Sequence, residues 1–217
     1  IIETGGSLKP GRIFDINTHT LRGALIADGY EVLELGIVPD EIDALDKAIA
    51  TGLGDGDLVL LSGGSSLGGG DLVGDALERA GKLLIHGVAV KPGKPVVLGV
   101  ARAPSADGQE TEKVMIGLPG YPMSALSDYY IFVQPYLRRA MGMTSNPAFV
   151  DATLARKHPS TVGRYEFLPV RLEGDDAHPI TKGSSAISAM ADADGFVEID
   201  EATEVVEKGQ RVRVRLF

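Results

Sequence analysis

The stretch "DLVLLSGGSSLGGGDLVGDALERAG", Asp57 to Gly81, decides the fold. Its first part has an uninterrupted apolar centre, the pattern of a strand buried on both faces. Its last part is amphipathic with a helical period. Between them, Ser62–Asp71 holds five glycines, and that much glycine costs chain entropy on folding. A loop at the carboxyl end of a strand and the amino end of a helix lies where open α/β sheets bind ligands. Bare backbone N–H groups there form a concave anion site, and the helix N-terminus adds partial positive charge. The loop has no Walker lysine, and its spacing is not that of a dinucleotide fingerprint. On this segment alone, a phosphate cradle and a tight corner both stay open, as do helix cap and ligand for Asp71.

Working outward, strands alternate with helices. "IFDINTHTLRGALIADG" has helical spacing with Gly29 as its C-terminal cap. "YEVLELGIV" reads as a strand, and Pro39-Asp40 opens a helix with Asp40 as N-cap. "LLIHGVAV", "PVVLGVA" and "VMIGL" read as strands, with "RAPSADGQETEK" as a surface excursion. Met123 to Met141 reads as a helix kinked at Pro135. This order predicts a doubly wound, mostly parallel α/β sheet over residues 1–145. From 146 to 217 the runs shorten to "FVDATLAR", "YEFLPVRL", "GFVEI" and "VRVRLF", predicting a small all-β domain with Arg211, Arg213 and Arg215 on the solvated face.

Composition narrows the function. The formal net charge is -9, which argues against a nucleic-acid surface. No apolar run reaches the ~18 residues of a membrane span. The chain has no cysteine, which excludes disulfides and thiolate metal sites. The opening "IIETGG" reads as the tail of a strand in a longer protein. His86, in an apolar strand, reads as a packed core or edge histidine, while His19 and His158 have no partner pattern. Asn17 reads as a cap or a ligand contact. Tyr129, Tyr130, Phe132 and Tyr136 read as packing surface, with a dimer contact as one use of it.

Two more segments join the glycine loop. "VKPGKP", Val90 to Pro95, sets two lysines three apart in a turn stiffened by prolines. "GLPGYPMSA", Gly117 to Ala125, is a strand end, a Pro-Gly-x-Pro turn and a helix with Ser124 in its first turn. With "TGGSL", "GIVPD", "GRYEF" and "GSSAIS", these segments resemble the molybdopterin molybdenumtransferase family, the MoeA and gephyrin E-domain type, over nearly the whole chain.

The resemblance implies a molybdopterin-binding α/β domain, residues 1–145, and a C-terminal β-barrel-like domain, residues 146–217. It implies insertion of molybdate, or tungstate, into adenylylated molybdopterin with release of AMP, in a cytoplasmic protein that is a homodimer at full length. Gly63, Gly64, Ser65, Ser66, Gly68, Pro119, Gly120, Pro122 and Ser124 would then bind the pterin substrate. Lys91, Lys94, Arg164, Ser184 and Ser185, with Ser124, would hold molybdate, and Asp40 and Asp71 would hold a catalytic Mg²⁺. Arg164 suits the role because its guanidinium is a permanently charged fork. The chain departs from the family at Gly6, Ser7 and Gly69, where acidic residues are usual, and at Tyr121, where asparagine is usual. These departures keep a second expectation open, a non-catalytic molybdopterin carrier or sensor module. A third is an adenylyltransferase acting on molybdopterin, disfavoured by the β domain that carries Arg164.

Overall fold

The computed structural model describes residues 1–64, 71–105, 107–143, 147–181, 183 and 186–217. The fold is α/β with a small β barrel after it. Helix α1, Asn17–Ala27, ends where the glycine signal predicts: Gly29 has φ +89° and donates to Ile26 O, and Tyr30 N–H reaches back to Leu25 O. That pair of bonds satisfies carbonyls the last helical turn leaves open. The expected strand at residues 30–38 belongs to no ladder among the described residues. Gly36 has φ +76°, which interrupts the pleat, and Leu33, Leu35 and Ile37 are exposed. Helix α2, Ile42–Asp55, takes Glu41 as its N-cap, so Asp40 does not fill the capping role expected of it. The buried Lys113 donates to Leu53 O in the last turn of α2, where a cation complements the helix dipole.

Strand β1, Leu58–Ser62, leads to α3, Leu72–Ala80. Then come β2, Lys82–His86; β3, Val90–Lys91; β4, Val97–Pro104; and β5, Glu110–Leu118. The first sheet has the order β1-β5-β4-β2. Only β1 and β5 are parallel; β5–β4 and β4–β2 are antiparallel, so the sheet is mixed where the sequence suggested mostly parallel. The reason lies in the connections. A parallel return takes a dozen or more residues, and "RAPSADGQETEK" supplies no such crossover: most of it forms the two arms of the β4–β5 hairpin.

The run after Pro122 is helical throughout: α4, Pro122–Asp128, a π turn at Tyr129–Val133, and α5, Gln134–Ala140. The irregularity precedes Pro135. Its ring has no N–H and crowds the preceding turn, and the helix widens there so that Gln134 N–H reaches Tyr129 O. No helix among the described residues is long and apolar enough to cross a membrane.

The remaining elements are β6, Phe149–Leu154; β7, His158–Pro159; β8, Tyr165–Glu173; β9, Asp176–Pro179; α6, Ser188–Ala191; β10, Gly195–Ile199; β11, Val205–Val206; and β12, Arg211–Leu216. Strands β10, β12, β6, β9 and β8 pair in that order, and β8 closes back on β10. Closure removes the sheet edges. The interior is filled by small aliphatic side chains such as Leu154, Val170, Ala177 and Val214. On β12 the alternation fails at one place. Arg215 is buried, with its guanidinium bonded to Gln134 Oε1, beside Glu198 and 5.3 Å from the Phe196 ring.

Two features join the halves. Strand β3, although it follows β2 in the chain, belongs to the barrel sheet and pairs in parallel with β8, Val90 opposite Tyr165 and Lys91 opposite Glu166. A core cluster brings Met123 together with Phe167, Met190 and Phe196, and Tyr130 packs at 4.8 Å on Phe217. Tyr130 therefore packs inside the chain. Residues 144–146, where the boundary was expected, lie outside the described residues.

Candidate functional site

Because β1 and β5 run parallel, their carboxyl ends meet at one edge of the sheet. Gly63 and Gly64 leave β1 there with φ +95° and +66°, and Gly63 N–H donates to Leu118 O at the end of β5. A Cβ on Gly120 would stand 3.4 Å from Gly63 Cα, so the glycine turn and the Pro119–Gly120 turn touch. Asn17 ties them to α1: its Nδ2 donates to Ser62 Oγ at 2.6 Å and to Gly120 O at 3.0 Å. Asn17 thus staples three elements, which explains its burial near the start of α1. A Cβ on Gly64 would lie 3.0 Å from Val73 Cγ2 and 3.9 Å from Asp40 Oδ1, which places Asp40 beside the glycine turn. Pro122 opens α4, and Ser124 in its first turn is only 4% exposed. Ser65, Ser66, Gly68 and Gly69 lie outside the described residues, as do Ser184 and Ser185.

Asp71 caps α3. Its Oδ1 accepts Gly74 N–H at 3.0 Å, and its Oδ2 contacts His86 Nε2 at 2.6 Å. His86 is exposed on β2, the edge strand of the first sheet, so of the two positions expected for it the edge one holds and the core one does not. Both Asp71 oxygens are engaged. No group of three or more His, Asp or Glu residues joins Asp40 and Asp71 among the described residues. Among the described residues there is thus no all-protein cage for Mg²⁺, an ion held more often by one or two carboxylates together with substrate phosphates.

Across the chain a cleft of about 490 Å³ opens between the halves, lined by His86, Val88, Lys94, Gly163 and Arg164, among others. Lys94 comes from the lysine turn and Arg164 from the approach to β8, so two cations from opposite halves face one space. Lys91 behaves differently. Its Nζ lies 3.1 Å from Thr161 Oγ1 and 3.2 and 3.3 Å from the two oxygens of Glu166. Glu166, in the "GRYEF" segment, is the residue that sequence reasoning passed over. It is 4% exposed and also receives His158 Nε2 and Ser160 Oγ, each at 2.9 Å. Burial alone would raise its carboxyl pKa; the hydrogen bonds from His158 and Ser160, with the charges of His158 and Lys91, outweigh that and hold it below the ordinary range.

The lysine turn is backed by α4. Ser127 Oγ donates to Pro92 O, and Gly93, at φ +126°, lies against the Asp128 carboxyl. Ser124, Ser127 and Asp128 thus sit on the element that supports the lysines.

Comparison with known proteins gives a consistent picture. Residues 1–139 match a family model described as a probable molybdopterin binding domain, and residues 151–217 match the MoeA C-terminal region (domain IV). The molybdopterin molybdenumtransferase of Haemophilus influenzae is 29% identical over 225 residues, covering 100% of this chain and 54% of that protein. Molybdopterin molybdenumtransferase 2 of Mycobacterium tuberculosis is 30% identical over 228 residues, covering 99% and 53%. The crystal structure of a molybdopterin biosynthesis MoeA protein from Pyrococcus horikoshii superposes with a TM-score of 0.83 at 39% identity, over 99% of this chain and 51% of that one. The chain spans about half the length of these relatives.

Proposed function

The chain belongs to the molybdopterin molybdenumtransferase family, and on that premise we propose that it binds molybdopterin at the glycine turn and a tetrahedral oxyanion in the cleft between its halves. The reaction this serves is insertion of molybdate into adenylylated molybdopterin with release of AMP. The observation that carries the reading is the meeting of Lys94 and Arg164 in one cleft, from opposite halves of the molecule.

Each part of the site has a physical task. Gly63 and Gly64 present backbone without side chains, so an anionic group can approach their N–H donors closely. Pro119 and Gly120 wall the turn, and Asn17 keeps the walls in register. Lys94 supplies a point charge, while Arg164 supplies a planar fork of donors that orients an oxyanion. The cleft holds the molybdate substrate where the pterin's sulfur ligands reach it, and proximity replaces a bimolecular encounter.

The test is turnover. The chain is supplied with adenylylated molybdopterin and molybdate, and AMP release is measured for the wild type and for Lys94→Ala and Arg164→Ala. Loss of release by a factor of about 100 or more in both variants is expected for paired oxyanion donors; unchanged release overturns the reading. A second reading, a molybdopterin carrier, is favoured by one observation: both Asp71 oxygens are already occupied by protein donors. Tungstate and pterin binding without any AMP release would establish that reading instead.

A further inference from the structure

The cleft and its rim carry more cationic side chains than an oxyanion meets. Lys91 is neutralised by Glu166, and His86 is paired with Asp71. Lys94 and Arg164 have no carboxylate within ion-pairing distance among the described residues. We propose that Glu166 is a positioning residue that withholds Lys91 from the anion, leaving two uncompensated cations to match a tetrahedral dianion. This inference rests on the oxyanion reading above and deepens it.

Three features support it. A lysine ammonium has three N–H donors; Lys91 gives one to Thr161 Oγ1 and one to Glu166 Oε2, with Glu166 Oε1 in ion-pair contact at 3.2 Å. The Glu166 carboxylate is buried, and a buried charge is retained only when paired and hydrogen-bonded. It receives Lys91, His158 and Ser160 together. The third feature is register. The β3–β8 pairing sets Lys91 opposite Glu166 and Val90 opposite Tyr165. Arg164 directly precedes Tyr165, and Lys94 follows Lys91 in the same turn. The pairing that engages Lys91 therefore also brings Lys94 and Arg164 to one cleft. Slipping it by one residue would part them.

The competing account makes Lys91 a direct ligand of the anion, since its side chain is 40% exposed. Calorimetric titration of the chain with tungstate separates the two. Lys94→Ala and Arg164→Ala should each weaken binding about tenfold or more, the loss that removing about 1.4 kcal/mol of contact produces. Lys91→Met should stay within about twofold of wild type, well under the tenfold step of 1.4 kcal/mol. Glu166→Gln should tighten tungstate several-fold, because it frees a third cation; a disrupted fold would only weaken binding, so a gain has no merely structural explanation. Should Glu166→Gln fail to fold by circular dichroism, Lys91→Met decides alone. The inference falls if Lys91→Met loses as much as Lys94→Ala, or if a folded Glu166→Gln binds no tighter. If Lys94→Ala and Arg164→Ala also bind tungstate unchanged, the oxyanion reading itself is lost and the inference with it.

Discussion

Asp128 sits at the end of α4 with none of its side chain exposed, and neither oxygen has a hydrogen-bond partner among the described residues. Burial drives its carboxyl well above the ordinary range. The folded state therefore keeps its proton at pH values where the unfolded chain has released it, so stability falls as pH rises above the ordinary carboxyl range. Asp128→Asn removes that titration. At pH 7 its thermal midpoint should exceed the wild type's by about 2–4 °C for each kcal/mol recovered. At pH 3 the two should converge, and scanning calorimetry across that window checks both ends. Gly93 is the complementary case. Its φ is +126° and a Cβ there would stand 2.0 Å from Asp128 Oδ1, so Gly93→Ala should displace the lysine turn. The expected cost is about 1–3 kcal/mol in chemical denaturation, with tungstate binding weakened in parallel. Of these contacts the sequence shows only the glycine and the prolines. That a carboxyl lies behind the turn depends on how α4 packs, and no local pattern encodes that.

Among the elements, α3 crosses the end of β5 at a point that only glycine allows. A Cβ on Gly117 would lie 2.4 Å from Val97 Cγ2 and 2.6 Å from Val73 Cγ1. Gly117→Ala should therefore destabilise the chain by about 1–3 kcal/mol through overpacking, visible as a lower denaturant midpoint at unchanged slope. Helix α3 is capped by Asp71, so the same variant should loosen the bond from Gly74 N–H to Asp71 Oδ1, read as faster hydrogen exchange at Gly74. Elements of this kind were legible wherever turn chemistry has fixed offsets: the glycine turn, the Schellman end of α1 at Gly29, and the Pro119–Pro122 turn. Strand direction was not. "PVVLGVA" and "VMIGL" look alike whether joined by a hairpin or a crossover, and nothing in the polar surface excursion between them shows that its ends are strand arms. Strand β3 has two residues, too few for a period of two to declare itself, so neither its place in the barrel sheet nor the Lys91–Glu166 contact could be read beforehand.

At the scale of the whole molecule, the halves are held by a polar chain as well as by aromatic packing. Asp28 at the end of α1 accepts from Tyr129 and Gln134, Gln134 accepts from Arg215, and Arg215 lies beside Glu198. Arg215→Met leaves Gln134 without its donor and should cost about 1.5–3 kcal/mol, the range for hydrogen bonds to charged groups. Wild-type chain should unfold in one calorimetric transition, because the seam couples both cores. Arg215→Met should broaden that transition or divide it in two, and a single sharp transition at an unchanged midpoint would show that the aromatic cluster suffices.

The pairing of β3 with β8 has a consequence for the order in which the chain is made. Synthesis runs from the amino end, and domains generally fold as they emerge. Val90 and Lys91 leave the ribosome long before Tyr165 and Glu166, so the first half cannot finish its own wall when its last residue appears. Until β8 arrives, the lysine turn has its backing from α4 but not its partner strand, and the nascent α/β half has only one wall of the cleft. The cleft lined by Lys94 and Arg164 is therefore completed only when the barrel is built, and a translation product that stops short of Tyr165 carries the glycine turn without it.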